Sequence, residues 1–334
     1  MKGLIVGGGS IGTRHLQNLK VLGIEQLAVV EPDIQRRTVL CKDESIPGFD
    51  TLDQGLVWKP NFVVIATPNH LHVPQALEAA QLGYHLFIEK PLSHAEDGLK
   101  RLSEEISSRA LISLVGCNMR FHPGPVKLKE LLGGKSIGKI LFARIHTGSY
   151  LPDWHPAQDY RKGYSANSTM GGGCILDCIH EIDLARWYLG DVEEVFCVAK
   201  HLSSLEIDVE DVAILICRHH NGSLSEIHLD YVQRTYERGC QIVGEQGSIF
   251  WDYRDGIVRY YNAEQDHWEI FVQPENWQVN QMYLDEMQHF LSCLKEGTST
   301  LNPVSEAMEV MRIALAARIS SGSGRFVPNR SLLP

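Results

Sequence analysis

Two stretches of the chain carry side chains able to move a proton and steady a negative charge. Glu89-Lys90-Pro91 follows the apolar run His85-Leu86-Phe87-Ile88, so Lys90 stands where a buried strand gives way to a turn. An ammonium held there can hydrogen-bond a substrate hydroxyl and favour the alkoxide that develops as a hydride leaves carbon. Further on, Cys174-Ile175-Leu176-Asp177-Cys178-Ile179-His180-Glu181-Ile182-Asp183 spaces Asp177, His180 and Asp183 three residues apart. Read as one helix, the run projects all three from roughly one side among apolar neighbours. Polar groups there are costly unless paired. Two readings follow: a site in which His180 is the general acid/base, worth about 10²–10⁴-fold in rate, or a buried histidine bonded to Asp183 as structure. Cys174, Cys178 and His180 share the run, but their spacing matches no common zinc pattern, and no metal is expected.

A third group lies in the stretch from Gly148 to Met170, which has little periodicity. Tyr150, Trp154, Tyr160 and Tyr164 alternate there with Asp153, His155, Asp159, Arg161 and Lys162. Loops of that length are functional or disordered, and the aromatic content argues against disorder. Aromatic faces ringed by hydrogen-bonding groups suit a sugar; the plainer alternative is a loop that packs over a sheet.

These groups need elements to hold them, and the first thirty-one residues supply the frame. Lys2-Gly3-Leu4-Ile5-Val6 reads as a short buried strand, followed at once by Gly7-Gly8-Gly9-Ser10-Ile11-Gly12, which satisfies G-x-G-x-x-G. A helical pattern follows from Thr13 to a stop at Gly23, and a second apolar strand, Leu27 to Val30, ends in Glu31. In a dinucleotide site the first glycine makes the turn and the second admits the pyrophosphate. The third lets helix and strand pack closely, and the acid accepts from the adenosine ribose. Strand and helix continue to alternate: 61–66 strand, 73–83 helix, 85–88 strand, 94–109 helix, 111–116 strand. Short connections of this kind imply a parallel sheet with right-handed crossovers, which binds ligands at the carboxyl ends of its strands. Gly7–Gly12, Glu31, Thr67–Asn69, Glu89–Pro91 and 118–120 all fall at such ends.

After residue 120 the grammar changes. A helix over 123–132, a half-exposed strand over 140–146 and an apolar helix from Gly171-Gly172-Gly173 to Leu189 precede an antiparallel sheet over 195–272. Asn221-Gly222 marks a hairpin in that sheet. Val212-Ala213-Ile214-Leu215-Ile216-Cys217 is apolar on both sides, unlike a strand with one face in water. Helices over 278–296 and 304–321 close the chain. The expected fold is α/β, with a dinucleotide-binding Rossmann domain over 1–118 and an α+β domain with an open, mostly antiparallel sheet over 119–334.

Composition narrows the function classes. With 31 basic against 41 acidic residues, the net charge of −10 argues against nucleic acid or an anionic membrane as partner. No apolar run approaches the roughly 20 residues of a membrane span. A strand beginning at residue 2 leaves no room for a signal peptide. Eight scattered cysteines without a C-x-x-C pair read as reduced thiols in a cytoplasm.

The glycine loop, Ala66-Thr67-Pro68-Asn69 with His72, Glu89-Lys90-Pro91, and Gly171-Gly172-Gly173 leading to His180, Asp183, Arg186 and Trp187 together resemble the Gfo/Idh/MocA (glucose–fructose oxidoreductase / inositol dehydrogenase) family. The resemblance runs the whole length, including the closing helix over 305–321. It implies NAD(P)-dependent hydride transfer on sugars, sugar acids or cyclitols, and dimer or tetramer contacts through the open sheet. Lys90 matches the family's catalytic lysine, and His180, framed by H-x-x-D-x-x-R-W, its catalytic histidine; a cis Lys90–Pro91 bond is expected. In many members the catalytic aspartate precedes the histidine by four residues, whereas Asp177 precedes His180 by three. The cofactor, NAD with NADP as an alternative, is assigned to Gly7, Gly9, Ser10, Ile11, Gly12, Glu31, Thr67, Pro68, Asn69, His72, Glu89 and Lys90. The substrate is assigned to Arg120, Tyr150, Trp154, Tyr160, Asp177 and His180. Arg120-Phe121-His122-Pro123 and Tyr150-Leu151-Pro152-Asp153-Trp154 are similar to a bacterial branch associated with sugar and surface-polysaccharide metabolism. The alternatives are an enzyme that retains its cofactor for an internal oxidation and re-reduction, or a dinucleotide-sensing regulator without catalysis.

Overall fold

The first half of the chain alternates strand and helix because its apolar runs are short, continuous and punctuated by glycine, proline and asparagine. The computed structural model describes residues 1–156 and 158–330. In chain order the first elements are β1 (Lys2–Val6), α1 (Ser10–Val21), β2 (Gln26–Val30), α2 (Ile34–Glu44), β3 (Gly48–Phe49), α3 (Leu52–Val57), β4 (Phe62–Ile65), α4 (Asn69–Gln81), β5 (His85–Glu89), α5 (Leu99–Ser108) and β6 (Ser113–Gly116). Among the described residues these six strands form one parallel sheet, ordered β3-β2-β1-β4-β5-β6. The order reverses beside β1, which is the switch point of a doubly wound sheet. Leu4, Ile5, Phe62, Val64, Phe87 and Leu114 are fully buried, as strands covered on both faces require.

Two helices start later or earlier than the periodicity indicates. α4 begins at Asn69, four residues before the expected start, because Pro68 sits at its N-cap with extended backbone. α5 begins only at Leu99, since Gly98, in the left-handed region at φ +77°, holds the chain out of helix until then.

The remaining elements are α6 (Pro123–Gly133), β7 (Ile140–Gly148), α7 (Cys174–Asp177), α8 (Ile179–Leu189), β8 (Val192–Lys200), β9 (Val212–His219), β10 (Leu224–Asp230), β11 (Glu237–Gly244), β12 (Gly247–Asp252), β13 (Ile257–Asn262), β14 (His267–Val272), α9 (Asn280–Glu296), α10 (Val304–Ser323) and β15 (Val327–Pro328). Their sheet runs β14-β13-β12-β11-β7-β10-β9-β8-β15. β7 lies in its middle and pairs in parallel with β10, while its other neighbour β11 is antiparallel. One face is buried: Ala213 and Leu215 of β9, Ile227 and Leu229 of β10, and Ala143 and Ile145 of β7 are at most 2% exposed. The intervening positions point the other way, and there Ile214, Leu224 and Val198 are 43–49% exposed. The apolar β9 therefore alternates like any half-buried strand, with isoleucine where water is expected.

The contiguous division at 118 is corrected by the helices at the end of the chain. One compact unit comprises Met1–Asn118 with Val279–Met308, and the other Met119–Gln278 with the chain from Glu309 onward. The reason is packing. Met287, Phe290 and Leu291 on one stripe of α9 join Phe62, Phe87 and Leu114 in a single core, with Phe290 edge-on to both phenylalanine rings at 5.7 Å. A helical period shows that a face is apolar, not which sheet receives it. Among the described residues no helix is long and apolar enough to cross a membrane.

Candidate active site

In the first unit the glycines act through the main chain. Gly7 turns the backbone directly after β1 at φ +100°, and its N–H donates to the Val30 carbonyl at 2.9 Å. Gly12 lies so close to the Gly7 carbonyl that a β-carbon would collide with it. Gly9, the N-cap of α1, has nothing within 4 Å of the place its β-carbon would take, and no side chain caps the helix. The free N–H groups of that first turn and the bare backbone beside them make a cradle for a pyrophosphate. At the end of β2 the Glu31 carboxylate is fixed by the Gly8 N–H on Oε2 (2.9 Å) and the Asp33 N–H on Oε1 (3.0 Å). The residues present therefore fit a dinucleotide.

Lys90 follows β5, half-buried, and the Lys90–Pro91 bond is cis. Its backbone N–H donates to Glu89 Oε2 at 3.1 Å, and Glu89 Oε1 meets His15 Nε2 at 2.5 Å. Burial pushes the Glu89 carboxyl up, but the His15 hydrogen bond and the charges of His15, Lys90 and His72 outweigh it and hold the group below its ordinary range. His72, on α4, places Nδ1 2.8 Å from the Pro91 carbonyl and Nε2 2.7 Å from the Thr67 carbonyl. Thr67 itself donates to Gln75 Oε1 at 2.7 Å. His72 and Glu89, expected against the cofactor, are 1% and 7% exposed and spend the polar atoms described here on the protein. Both brace the turn that carries Lys90. Type and spacing alone do not separate a histidine that meets a ligand from one that ties two carbonyls together.

In the second unit the run from Cys174 to Leu189 is two helices. Cys178, at φ −90° and ψ 34°, ends α7 and opens α8. The three-residue spacing of Asp177, His180 and Asp183 thus does not place them on one helix face, and each acid has its own partners. Asp177 accepts the Tyr164 hydroxyl on Oδ1 (3.0 Å) and the Tyr231 hydroxyl on Oδ2 (2.9 Å). Burial first, and then the Asp177 charge, push the Tyr231 phenol well above its ordinary pKa, so it stays a donor. His180, 7% exposed, stands in the first turn of α8. Asp183 receives Arg120 in a two-pronged pair, Nε to Oδ2 at 2.8 Å and Nη2 to Oδ1 at 2.7 Å, with both side chains at most 2% exposed.

The aromatic stretch divides. Trp154 donates its indole N–H to Ser149 Oγ at 2.6 Å and meets the Tyr231 ring edge-on at 5.2 Å, so it belongs with Asp177. Tyr150 carries the Arg234 guanidinium over its ring at 3.7 Å, and the Tyr160 hydroxyl accepts from the Glu206 N–H at 3.2 Å. Nothing in these contacts brings Tyr150 or Tyr160 to Asp177.

Residues 1–117 match the model of an oxidoreductase family with an NAD-binding Rossmann fold, and residues 126–250 match the GFO/IDH/MocA C-terminal domain. The chain belongs to the Gfo/Idh/MocA family. It is an oxidoreductase with an NAD-binding Rossmann domain and a mostly antiparallel C-terminal sheet. It is 28% identical to myo-inositol 2-dehydrogenase of Thermotoga maritima, over 97% of both chains. It is 25% identical to scyllo-inositol 2-dehydrogenase (NAD(+)) of Bacillus subtilis, over 96% of this chain and 94% of that one. Its fold is that of levoglucosan dehydrogenase in complex with NADH, with a TM-score of 0.90 at 19% identity over 99% of this chain and 100% of the other.

Within this Gfo/Idh/MocA chain Arg120, expected at the substrate, is 3% exposed and pairs with Asp183. It fixes α8, and a buried arginine in sequence does not reveal whether its anion is a ligand or a protein carboxylate. Tyr231 escaped the sequence reading because it follows the apolar strand Ile227–Leu229 and looks like part of it. Arg238 and Glu181 escaped as well, a buried pair at 2.8 Å whose partners lie 57 residues apart.

Proposed function

We propose that this protein transfers a hydride between NAD and a secondary hydroxyl or ketone of a sugar, sugar derivative or cyclitol. When bound, NAD supplies the hydride acceptor at C4 of its nicotinamide. In the oxidative direction Lys90 hydrogen-bonds the substrate oxygen and favours its alkoxide, and His180 takes the hydroxyl proton as the C–H hydride departs. Asp177, which accepts the hydroxyls of Tyr164 and Tyr231, is the third residue assigned to the reaction. The observation that carries the reading is the position of Lys90 at the carboxyl end of β5, in the same sheet as the glycine cradle and next but one to β1. The inositol dehydrogenases to which the chain is similar support the substrate class.

A screen of inositols, sugars and sugar nucleotides with NAD, read by NADH fluorescence, tests it. Stoichiometric NADH in solution supports the dehydrogenase; turnover without free NADH points to an internal redox cycle. Cofactor bound with no turnover of any compound points to a sensor. We also propose that NAD is preferred over NADP. The Glu31 carboxylate repels a 2′-phosphate, while Arg37 donates to the Glu31 and Pro32 carbonyls and Arg36 lies 3.4 Å from Glu31. A kcat/KM for NADP equal to that for NAD overturns this preference.

The outer face of the large sheet, with Val198, Ile214, Leu224, Trp268 and Ile270 exposed, suits a second copy of the chain. A homodimer or homotetramer is expected by light scattering at micromolar concentration. None of the eight cysteines is in a disulfide, which favours a reducing cytoplasm.

A further inference from the structure

Lys90 lies in a turn whose backbone is held on both sides by a histidine that has no part in the chemistry above. Ahead of it, the Lys90 N–H is bound by Glu89, and Glu89 in turn by His15. His15 is completely buried on α1, its ring edge-on to Phe87 at 4.8 Å. A β-carbon at position 116 would stand 3.2 Å from Glu89 Oε1, so Gly116 leaves just the room the carboxylate needs. Behind Lys90, the carbonyl of Pro91 is gripped by His72 Nδ1, and the opposite nitrogen of the same ring grips the carbonyl of Thr67 at the end of β4. Carbonyl oxygens only accept, so each contact asks for an N–H on the nitrogen facing it, and a neutral ring donates to one of the two at a time. Burial first, and then the Lys90 charge, hold the His72 pKa below its ordinary value against the two carbonyls and the Glu89 charge, so the neutral ring sits between both oxygens and donates to one of them.

We propose that His72, together with the His15–Glu89 pair, is a positioning device that aims the Lys90 ammonium. One brace ties the turn to α4 and to the end of β4, the other to α1. Neither histidine touches substrate. Their effect on rate passes through Lys90, because a reacting group misplaced by about 1 Å can cost on the order of 10²-fold. This inference rests on the reading of Lys90 as a catalytic group.

The test uses the full chain in four forms: His72→Phe, Glu89→Gln, Lys90→Met, and His72→Phe combined with Lys90→Met. With NAD and the first compound the sugar and cyclitol screen returns, His72→Phe and Glu89→Gln are each expected to lower kcat by about 10- to 100-fold. KM and the Kd for NAD should stay within about threefold. In the Lys90→Met background His72→Phe should cost nothing further, since two residues acting through one group are not additive. A reading that needs no substrate accompanies it: the rate of reductive methylation of Lys90, followed by mass spectrometry of its peptide, should rise at least about threefold in His72→Phe while other lysines keep theirs. The inference is overturned if His72→Phe costs the same factor with and without Lys90, or if the methylation rate of Lys90 does not move. Should Lys90→Met alone keep full activity, the catalytic reading of Lys90 fails instead, and the methylation result still decides whether His72 holds the turn. Glu89→Gln keeps the shape of the side chain and answers for the device if His72→Phe does not fold.

Discussion

The glycine cradle of the first unit and the Asp177–His180 stretch of the second are built by different means. The cradle is made of backbone: Gly7 and Gly12 are there because nothing larger fits, and the groups offered to a ligand are main-chain N–H. The other stretch is made of side chains that answer one another over long separations, Asp177 to Tyr231 and Asp183 to Arg120. A backbone site leaves its mark in a few consecutive residues. A site of partnered side chains leaves its mark only in three dimensions, and its stability depends on each partner being present.

That contrast predicts where damage shows. The largest effect belongs to the buried ion pair. Arg120→Met leaves Asp183 charged and uncompensated, at about 3–5 kcal/mol of stability. Urea unfolding should show it, and Arg120→Met with Asp183→Leu should recover part of the loss; a single substitution within about 1 kcal/mol of wild type would break the comparison. Next comes chemistry without stability: Lys90→Met should lower kcat by about 10²-fold or more with NAD affinity nearly unchanged. Lys90→Arg should not restore it, since a planar fork does not replace a compact ammonium. A Met variant within about threefold of wild-type kcat removes Lys90 from the reaction.

The cradle should respond the other way, with binding lost and fold kept. Gly9 has open space around it, so Gly9→Ala should leave the melting temperature unchanged while weakening NAD about 10-fold or more, read by quenching of intrinsic fluorescence. Unchanged NAD affinity would mean that the ligand does not approach Gly9.

The smallest effect concerns Glu78 on α4. Burial, the hydrogen bond to Asp53 and the charge of Asp53 push its carboxyl up to about 7, from an ordinary 4.5. The fold therefore favours the protonated form, and the stability that form contributes is present below pH 4.5 and lost as pH rises to about 7. Solvent screening discounts the effect for a group this exposed. Glu78→Gln, which keeps a donor towards Asp53 at every pH, should raise the melting temperature by about 1–3 °C at pH 8 and by less at pH 5. An equal rise at both pH values would sink the assignment.

Much of the first unit was legible in the sequence, because the glycine motif, Glu31 and the Lys90–Pro91 turn are local. The second sheet was legible in outline: the hairpin at Asn221-Gly222 and the alternation of β9 show in the order of residues. The parallel pairing of β7 with β10 does not, since strand periodicity says nothing about direction. The break at Cys178 was hidden for a related reason. Every residue from Cys174 to Leu189 suits a helix, and the kink exists because Asp177 answers two tyrosines while α8 answers Arg120. His72 and Arg120 were found as polar residues in significant places, yet whether they face outward or inward depends on partners that sequence distance conceals.

The discontinuous first unit bears on how the chain is born. The strands carrying Phe62, Phe87 and Leu114 leave the ribosome before the whole stretch 119–278 has been made, and Met287, Phe290 and Leu291 come only after it. At about 5–20 residues per second, that face waits roughly 8–30 s for its cover. A nascent Rossmann sheet thus stands with an uncovered aromatic side while the later sheet is being synthesised. It becomes a natural client for a chaperone, and its final closure waits on residues made after 119–278.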